Sequence, residues 1–113
     1  MTWWPRFKAD RPPLDAAQGA PVQVFFGKND ALISPGIAYC ARDKMVQDME
    51  GGTTPLTVCG DADADHTGVV RQNMQWGLDW IGARLLGAAE PAACDSFEVL
   101  GSTSCQVPPG FAD

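Results

Sequence analysis

Two apolar stretches of the chain have the composition and length of β-strands. Residues 21–27 (PVQVFFG) are rich in β-branched and aromatic side chains and barely alternate with polar ones, which predicts a strand buried on both faces. Residues 54–59 (TPLTVC) predict a second strand. Because the first run ends in glycine and is followed by polar residues, a turn is expected directly after it.

A helix is predicted after each strand. Ser34 and Pro35 have the residue types of a helix N-cap and of the first helical position, and apolar residues recur at helical spacing behind them. The second helix is expected to follow the polar loop at residues 60–68 and to end at Leu86, because Gly87 suits the C′ position. This order predicts an α/β fold, a β-α-β-α unit with parallel strands and a right-handed crossover.

Helical spacing also indicates how the apolar side chains of the helices are arranged. One apolar stripe of the second helix consists of Val70, Met74, Gly77, Ile81 and Leu85. The large side chains expected in the core are Met45, Met49, Met74, Trp76 and Trp80. The chain then divides into an irregular lead-in at residues 1–20, an α/β unit at residues 21–87 and a cysteine-tethered tail at residues 88–113.

The composition narrows the class of protein. The 113 residues suffice for one domain, and eight Lys and Arg against fourteen Asp and Glu leave a net charge of −6. A non-specific nucleic-acid binder needs the opposite sign of charge, so we expect no nucleic-acid partner. No apolar run reaches the roughly 18 residues that a membrane span needs, so no membrane-spanning segment is predicted.

The spacing of the cysteines bears on metal binding and on redox compartment. The four cysteines are Cys40, Cys59, Cys94 and Cys105. None belongs to a C-x-x-C pair and the chain has a single histidine, which argues against a zinc cluster. The even count and wide spacing predict two disulfides with three possible connectivities, and hence a secreted or periplasmic protein. The first residues lack the apolar region of a signal peptide, so export would need a leader beyond them.

One acid and one histidine are placed to meet. Asp30 follows the first predicted strand and His66 follows the second. Functional groups of an open parallel sheet collect beyond the carboxyl ends of its strands, and neighbouring strands lie about 4.8 Å apart. Asp30 could then accept the Nδ1–H of the imidazole and leave Nε2 as a general base. The plainer alternatives are an Asx-turn aspartate and a solvated loop histidine.

The acidic loop does not predict a metal site. Asp61, Asp63 and Asp65 alternate in the manner of calcium ligands, but an EF-hand loop needs Gly at its sixth position and Glu at its twelfth. Counted from Asp61, those positions hold His66 and Gln72. A solvated acidic loop is therefore expected, and neither a metal nor a cofactor is predicted.

This pattern resembles the C-terminal part of the α/β-hydrolase fold. There the chain order is nucleophile, acid, histidine. The acid follows a late strand in a G-x-x-D turn, matched by residues 27–30 (GKND), and the histidine precedes the final helix, as His66 does. The likeness is greatest to the secreted lipase group, through Cys40, the helix end at residues 80–87 (WIGARLLG) and Cys94.

The resemblance covers roughly residues 21–94 and implies a disulfide pairing. In the lipase group the two matching cysteines are joined, which here implies a Cys40–Cys94 bond. Cys59 and Cys105 would then form the second disulfide.

The resemblance also implies a function for the acid and the histidine. Asp30 would orient His66, which would shuttle a proton for a serine that attacks an ester or lipid substrate. No G-x-S-x-G elbow is present, and the four serines are Ser34, Ser96, Ser102 and Ser104. The nucleophile and the oxyanion loop must then lie outside this chain. We therefore expect the chain to be a C-terminal portion of a hydrolase that is inactive by itself.

Two alternatives remain open at the level of the sequence. The chain could be a small disulfide-stabilised binding or structural module, in which Asp30 and His66 are merely loop residues. It could also belong to another α/β-hydrolase, such as a peptidase or a thioesterase. The hydrolase hypotheses predict hydrogen-bond contact between the two residues. They also predict an exposed apolar face on the first strand and the last helix, with self-association through the open sheet edge as a possible consequence.

Overall fold

The computed structural model describes residues 19–49 and 55–107. In chain order its elements are β1 (Val22–Gly27), α1 (Pro35–Met49), β2 (Leu56–Asp61), α2 (Gly68–Leu86) and a 3₁₀-helix (Phe97–Leu100). The predicted succession of strand, helix, strand and helix is confirmed, although β2 begins and ends slightly later than predicted. Most of the predicted lead-in, including Trp3, Trp4 and Phe7, lies outside the described residues.

β1 and β2 form a two-stranded parallel sheet, as the connectivity predicts. Val24 lies opposite Val58, and Gly27 lies opposite Asp61 at the carboxyl ends. The coarse assignment to the α/β class is therefore confirmed. Because the last residues of the two strands are in register, the loops that follow them start side by side.

The segment after α2 returns along the outer edge of β2. Ser96 forms an antiparallel bridge with Cys59, and the Gly60 N–H donates to the carbonyl oxygen of Asp95 at 3.1 Å. This strand-like contact satisfies edge groups of β2 that would otherwise face solvent. The tail is thus attached to the sheet by its backbone as well as by the Cys59–Cys94 disulfide.

The 3₁₀-helix supplies much of the core and was not predicted. Phe97 is only 5% exposed, and Leu100 is buried beside it. The Phe97 ring meets Phe26 of β1 edge-on and Tyr39 of α1 at a tilt, each with 5.9 Å between ring centroids. The segment that the sequence indicates as a tail therefore joins one face of the sheet to α1.

Both predicted disulfides form, but the pairing implied by the resemblance is wrong. The bonds are Cys40–Cys105 and Cys59–Cys94. The bridge between Ser96 and Cys59 brings Cys94 onto β2, where Cys59 is fully buried. Further along, the Gln106 N–H donates to the Gly36 carbonyl at 3.1 Å and so carries Cys105 to the first turns of α1. The path of the tail decides the connectivity.

The face of β1 and α2 turned away from the 3₁₀-helix is more exposed than the apolar run of β1 predicts, and it is the exposed apolar face that the hydrolase hypotheses predict. Gly27 is the only buried residue of β1, whereas its other residues are half-buried. On α2, Val70 is 64% exposed and Met74 is 54% exposed, so the prediction that Met74 is a core residue is wrong. The other large side chains predicted for the core are half-buried: Met45, Met49, Trp76 and Trp80.

An open apolar groove of about 410 Å³ runs between β1 and α2. Its walls include Val24 and Phe25 of β1 and Val70, Met74 and Ile81 of α2. Among the described residues, β1 pairs with β2 alone, so its second edge has no backbone partner there. Neither helix of the described ranges is long and apolar enough to cross a membrane.

Candidate active site

The two loops beyond the carboxyl ends of the strands are tied to each other. Lys28 donates its backbone N–H to the carbonyl oxygen of Asp61 at 2.8 Å. Asn29 donates likewise to Ala64 at 3.0 Å. These bonds continue the parallel ladder past Gly27 and hold the loop that carries the acid against the loop that carries the histidine.

Asp30 uses its two carboxylate oxygens for two different purposes. Oδ1 accepts the backbone N–H groups of Leu32 and Ile33, each at 2.8 Å, which is an Asx-turn. Oδ2 lies 2.9 Å from Nδ1 of His66. The predicted contact between acid and histidine is confirmed. The Asx-turn, the alternative role that the sequence indicates for Asp30, is present as well. It fixes the carboxylate that faces the imidazole.

The surroundings of Asp30 favour its ionised form. Burial acts to raise the pKa of Asp30, but hydrogen bonds from the Ile33 N–H, from His66 and from the Leu32 N–H outweigh it and lower the pKa below its usual value. The carboxylate is therefore an acceptor at neutral pH. Nδ1 of His66 must then carry the proton of their hydrogen bond, which leaves the Nε2 lone pair of the neutral imidazole available.

The acid and the histidine differ sharply in exposure. The Asp30 side chain is 7% exposed, whereas that of His66 is 51% exposed. Within the described ranges, no hydrogen bond to Nε2 of His66 is present. A buried, oriented carboxylate behind an accessible imidazole is an arrangement that suits a general base.

Asp65 fixes the start of α2 directly beside His66. Its Oδ1 accepts the Gly68 N–H at 2.6 Å and the Thr67 hydroxyl at 3.3 Å. The carbonyl oxygen of Asp65 also accepts the Val69 N–H. The hydrogen bond from Gly68 is the main reason that the pKa of Asp65 lies below its usual value. This acid therefore acts as a helix cap.

Asp61 is also engaged, through a partner that the sequence did not point to. Asn73, in the second turn of α2, donates from Nδ2 to Asp61 Oδ2 at 2.8 Å. No local motif links these two residues, because their proximity arises only when α2 packs back along the sheet. In the part of the chain that the structure describes, no three His, Cys, Asp or Glu side chains converge as metal ligands.

The described residues do not bring a nucleophile to the histidine. The Ser96 hydroxyl caps the 3₁₀-helix by accepting the Glu98 N–H, and Ser102 donates to the Ser104 carbonyl. Ser34 precedes α1, where its carbonyl oxygen accepts the Ala38 N–H. All four cysteines are in disulfides, so none offers a free thiol. A hydroxyl nucleophile for His66 would have to come from elsewhere.

The described loops thus contain an acid–histidine contact whose geometry, burial and proton position suit general-base chemistry. The contact is established, whereas the catalytic role of the two residues and the resemblance to a hydrolase stay predictions. No protein-family model, no curated protein and no solved structure matches this chain.

Proposed function

We propose that this chain supplies the acid and the general base of a serine ester hydrolase. Asp30 orients the imidazole, and His66 activates a serine that lies outside these 113 residues. The observation that carries the proposal is the 2.9 Å contact between Asp30 Oδ2 and His66 Nδ1, with the acid buried and the imidazole accessible. The substrate is a carboxylic ester, with a lipid ester as the class that the sequence resemblance implies.

The protonation states of Asp30 and His66 fit each step of acyl transfer. Nε2 of neutral His66 accepts the serine proton while the serine oxygen attacks the ester carbonyl carbon. The resulting imidazolium is stabilised by the Asp30 carboxylate and returns its proton to the leaving alcohol as the tetrahedral intermediate collapses. Water then attacks the acyl-serine with His66 again as base, which releases the carboxylic acid and restores the serine.

The position of the pair supports this proposal over a purely structural one. Catalytic groups of open α/β sheets collect beyond the carboxyl ends of the strands, and both residues lie there. The apolar groove between β1 and α2 also favours an incomplete sheet, because a closed, self-sufficient module would bury residues such as Val70 and Met74. A peptidase or a thioesterase would use the same pair, so the ester specificity rests on the resemblance alone.

Complementation with a serine-bearing fragment tests the proposal. The oxidised chain is mixed with the N-terminal part of an α/β-hydrolase lipase that contains its elbow serine, and hydrolysis of p-nitrophenyl butyrate is followed. We expect each piece to be inactive and the mixture to be active, with His66→Ala lowering the restored rate at least about a thousandfold. Asp30→Asn is expected to lower it by a similar factor, because the imidazole loses its orienting acceptor.

Asp63→Asn is the matched control for the charge. Asp63 lies in the histidine loop, is exposed, and its side chain forms no hydrogen bond among the described residues. We expect the restored rate to be unchanged by this substitution. Restored hydrolysis that survives His66→Ala would show that the base is assigned wrongly. Parallel assays with a p-nitroanilide and a thioester separate an esterase from a peptidase and a thioesterase.

A further inference from the structure

We propose that Asp61 and Asn73 form a positioning pair that holds His66 against Asp30. The inference deepens the proposed function and takes its catalytic meaning from it. Neither residue touches the imidazole, and both act through the backbone of the loop that carries it. The observation behind the inference is that one carboxylate binds the chain on both sides of His66.

The first half of the link folds the chain just before the histidine. Asp61 is the last residue of β2. Its Oδ1 accepts the backbone N–H of Asp63 at 3.0 Å and that of Ala64 at 3.1 Å. These bonds reverse the chain directly after the strand, as aspartate does in an Asx-turn. Ala64, at the end of the turn, is fully buried.

The second half of the link joins the same carboxylate to the helix after the histidine. Asn73 donates from Nδ2 to Asp61 Oδ2 at 2.8 Å and to the Val69 carbonyl at 3.0 Å. The amide is therefore held on the surface of α2 by its own helix. The loop at residues 62–67 is thus closed at its base by a side-chain bond between β2 and α2.

The same turn is bonded to the loop that carries the acid. The Ala64 carbonyl oxygen accepts the N–H of Asn29, the neighbour of Asp30, at 3.0 Å. If the bond between Asp61 and Asn73 is removed, the side chain that accepts the Ala64 N–H is no longer held against α2, and the turn can shift relative to Asn29. We therefore expect the separation between Asp30 and His66 to depend on Asp61 and Asn73.

The single histidine of the chain makes this testable without any activity assay. The imidazole ¹⁵N signals can only come from His66. In the oxidised chain, at a pH where the imidazole is neutral, we expect predominantly the Nδ1-protonated tautomer, because Asp30 accepts that proton. Asp61→Asn and Asn73→Ala should each shift the ¹⁵N signals towards the exchange-averaged values of an unconstrained imidazole.

Two further variants distinguish a positioning role of Asp61 and Asn73 from a general effect of the charge in this loop. Asp63→Asn removes the same charge from the same loop and should leave the signals unchanged. The double variant Asp61→Asn/Asn73→Asp exchanges amide and carboxylate. The new amide at position 61 can still accept the two backbone N–H groups and can donate to the new carboxylate at position 73, but that carboxylate cannot donate to the Val69 carbonyl as Asn73 does. We expect this exchange to bring the signals part of the way back to those of the original chain, because it restores the bond between the two side chains.

Each outcome decides the inference. Original-like signals in Asn73→Ala, or a double variant no nearer to the original chain than the single variants, would overturn it. Asn73→Ala carries the test if Asp61→Asn fails to fold, because alanine favours the helix and the Asx-turn is kept. Failure of complementation alongside the expected ¹⁵N responses would refute the proposed function and leave the positioning pair standing. Restored hydrolysis together with ¹⁵N signals that do not respond to Asp61→Asn or Asn73→Ala would refute the positioning pair and leave the proposed function standing.

Discussion

The carbonyl oxygen of Ala64 lies against the Cα of Gly27, so close that a Cβ built there would be 2.4 Å from the oxygen. The same Cβ would be 2.7 Å from a methyl carbon of Val69. Because Gly27 does not need a left-handed backbone, its requirement is one of space. This close approach lets the Ala64 carbonyl reach the Asn29 N–H and so brings the acid loop and the histidine loop together.

Gly27→Ala is therefore expected to destabilise the chain by about 1–3 kcal/mol, as overpacking of a close contact does. The backbone of Ala64 cannot rotate away as a flexible side chain would, so the loops must separate. Gly77→Ala is the matched control, because a Cβ built at that helical position meets no atom within 4 Å apart from the adjacent backbone of its own helix. We expect the control to stabilise the chain by up to about 1 kcal/mol. Urea unfolding measures both, and equal effects would contradict the packing argument.

The lowered pKa of Asp30 predicts how stability depends on pH. The folded chain binds the proton of this carboxyl less tightly than the unfolded chain, whose aspartates titrate at about pH 3.8. The stabilisation is therefore present above that pH and is lost as the pH falls through the lower, folded pKa. Asp30→Asn should be less stable than the original chain near neutrality, and the difference should shrink on acidification.

Unfolding free energies measured between about pH 2 and pH 6 test this prediction. Asp63→Asn serves as the control, because its exposed side chain forms no hydrogen bond among the described residues. Its curve should run parallel to that of the original chain. A constant difference between the original chain and Asp30→Asn across this range would show that the carboxylate contributes nothing in its charged form.

Disulfide mapping is expected to find Cys40–Cys105 and Cys59–Cys94. Trypsin alone cannot distinguish this pairing from Cys40–Cys94 with Cys59–Cys105, because residues 85–113 contain no Lys or Arg and hold two cysteines on one peptide. A second cleavage after Glu98, under non-reducing conditions, places Cys94 and Cys105 on separate peptides. Mass spectrometry of the linked peptides then reads the connectivity, and a Cys40–Cys94 link would mean that the tail follows a different path.

Phe97→Ala is expected to cost about 3–5 kcal/mol, since it removes a buried ring from the centre of the core. Phe26 and Tyr39 would lose their contact with the Phe97 ring, and a cavity would remain in its place. Leu86→Ala provides the comparison, because that side chain is 84% exposed at the end of α2 and its truncation should change stability by less than about 0.5 kcal/mol. Chemical denaturation of both variants is the measurement. Similar small effects would show that the 3₁₀-helix is not part of the core.

Local patterns were sufficient for the regular elements and for the acid–histidine contact. The apolar run of β1, the Ser-Pro start of α1 and the glycine after α2 each depend on a few adjacent residues. The contact between Asp30 and His66 follows from a general property of parallel strands, whose carboxyl ends lie at one edge of the sheet. No local pattern indicates Asn73, which meets Asp61 only through the packing of α2.

The sequence by itself determined the strands, the helices, their parallel order and the two residues that meet beyond them, because these depend on residue type and chain direction. The tertiary structure decided where the tail runs, and therefore which cysteines pair, why Phe97 is buried and why Met74 is exposed. The physical reason is that burial and disulfide pairing depend on contacts between segments far apart in the chain. Periodicity assigns a face to each side chain, but only packing decides whether another element covers that face.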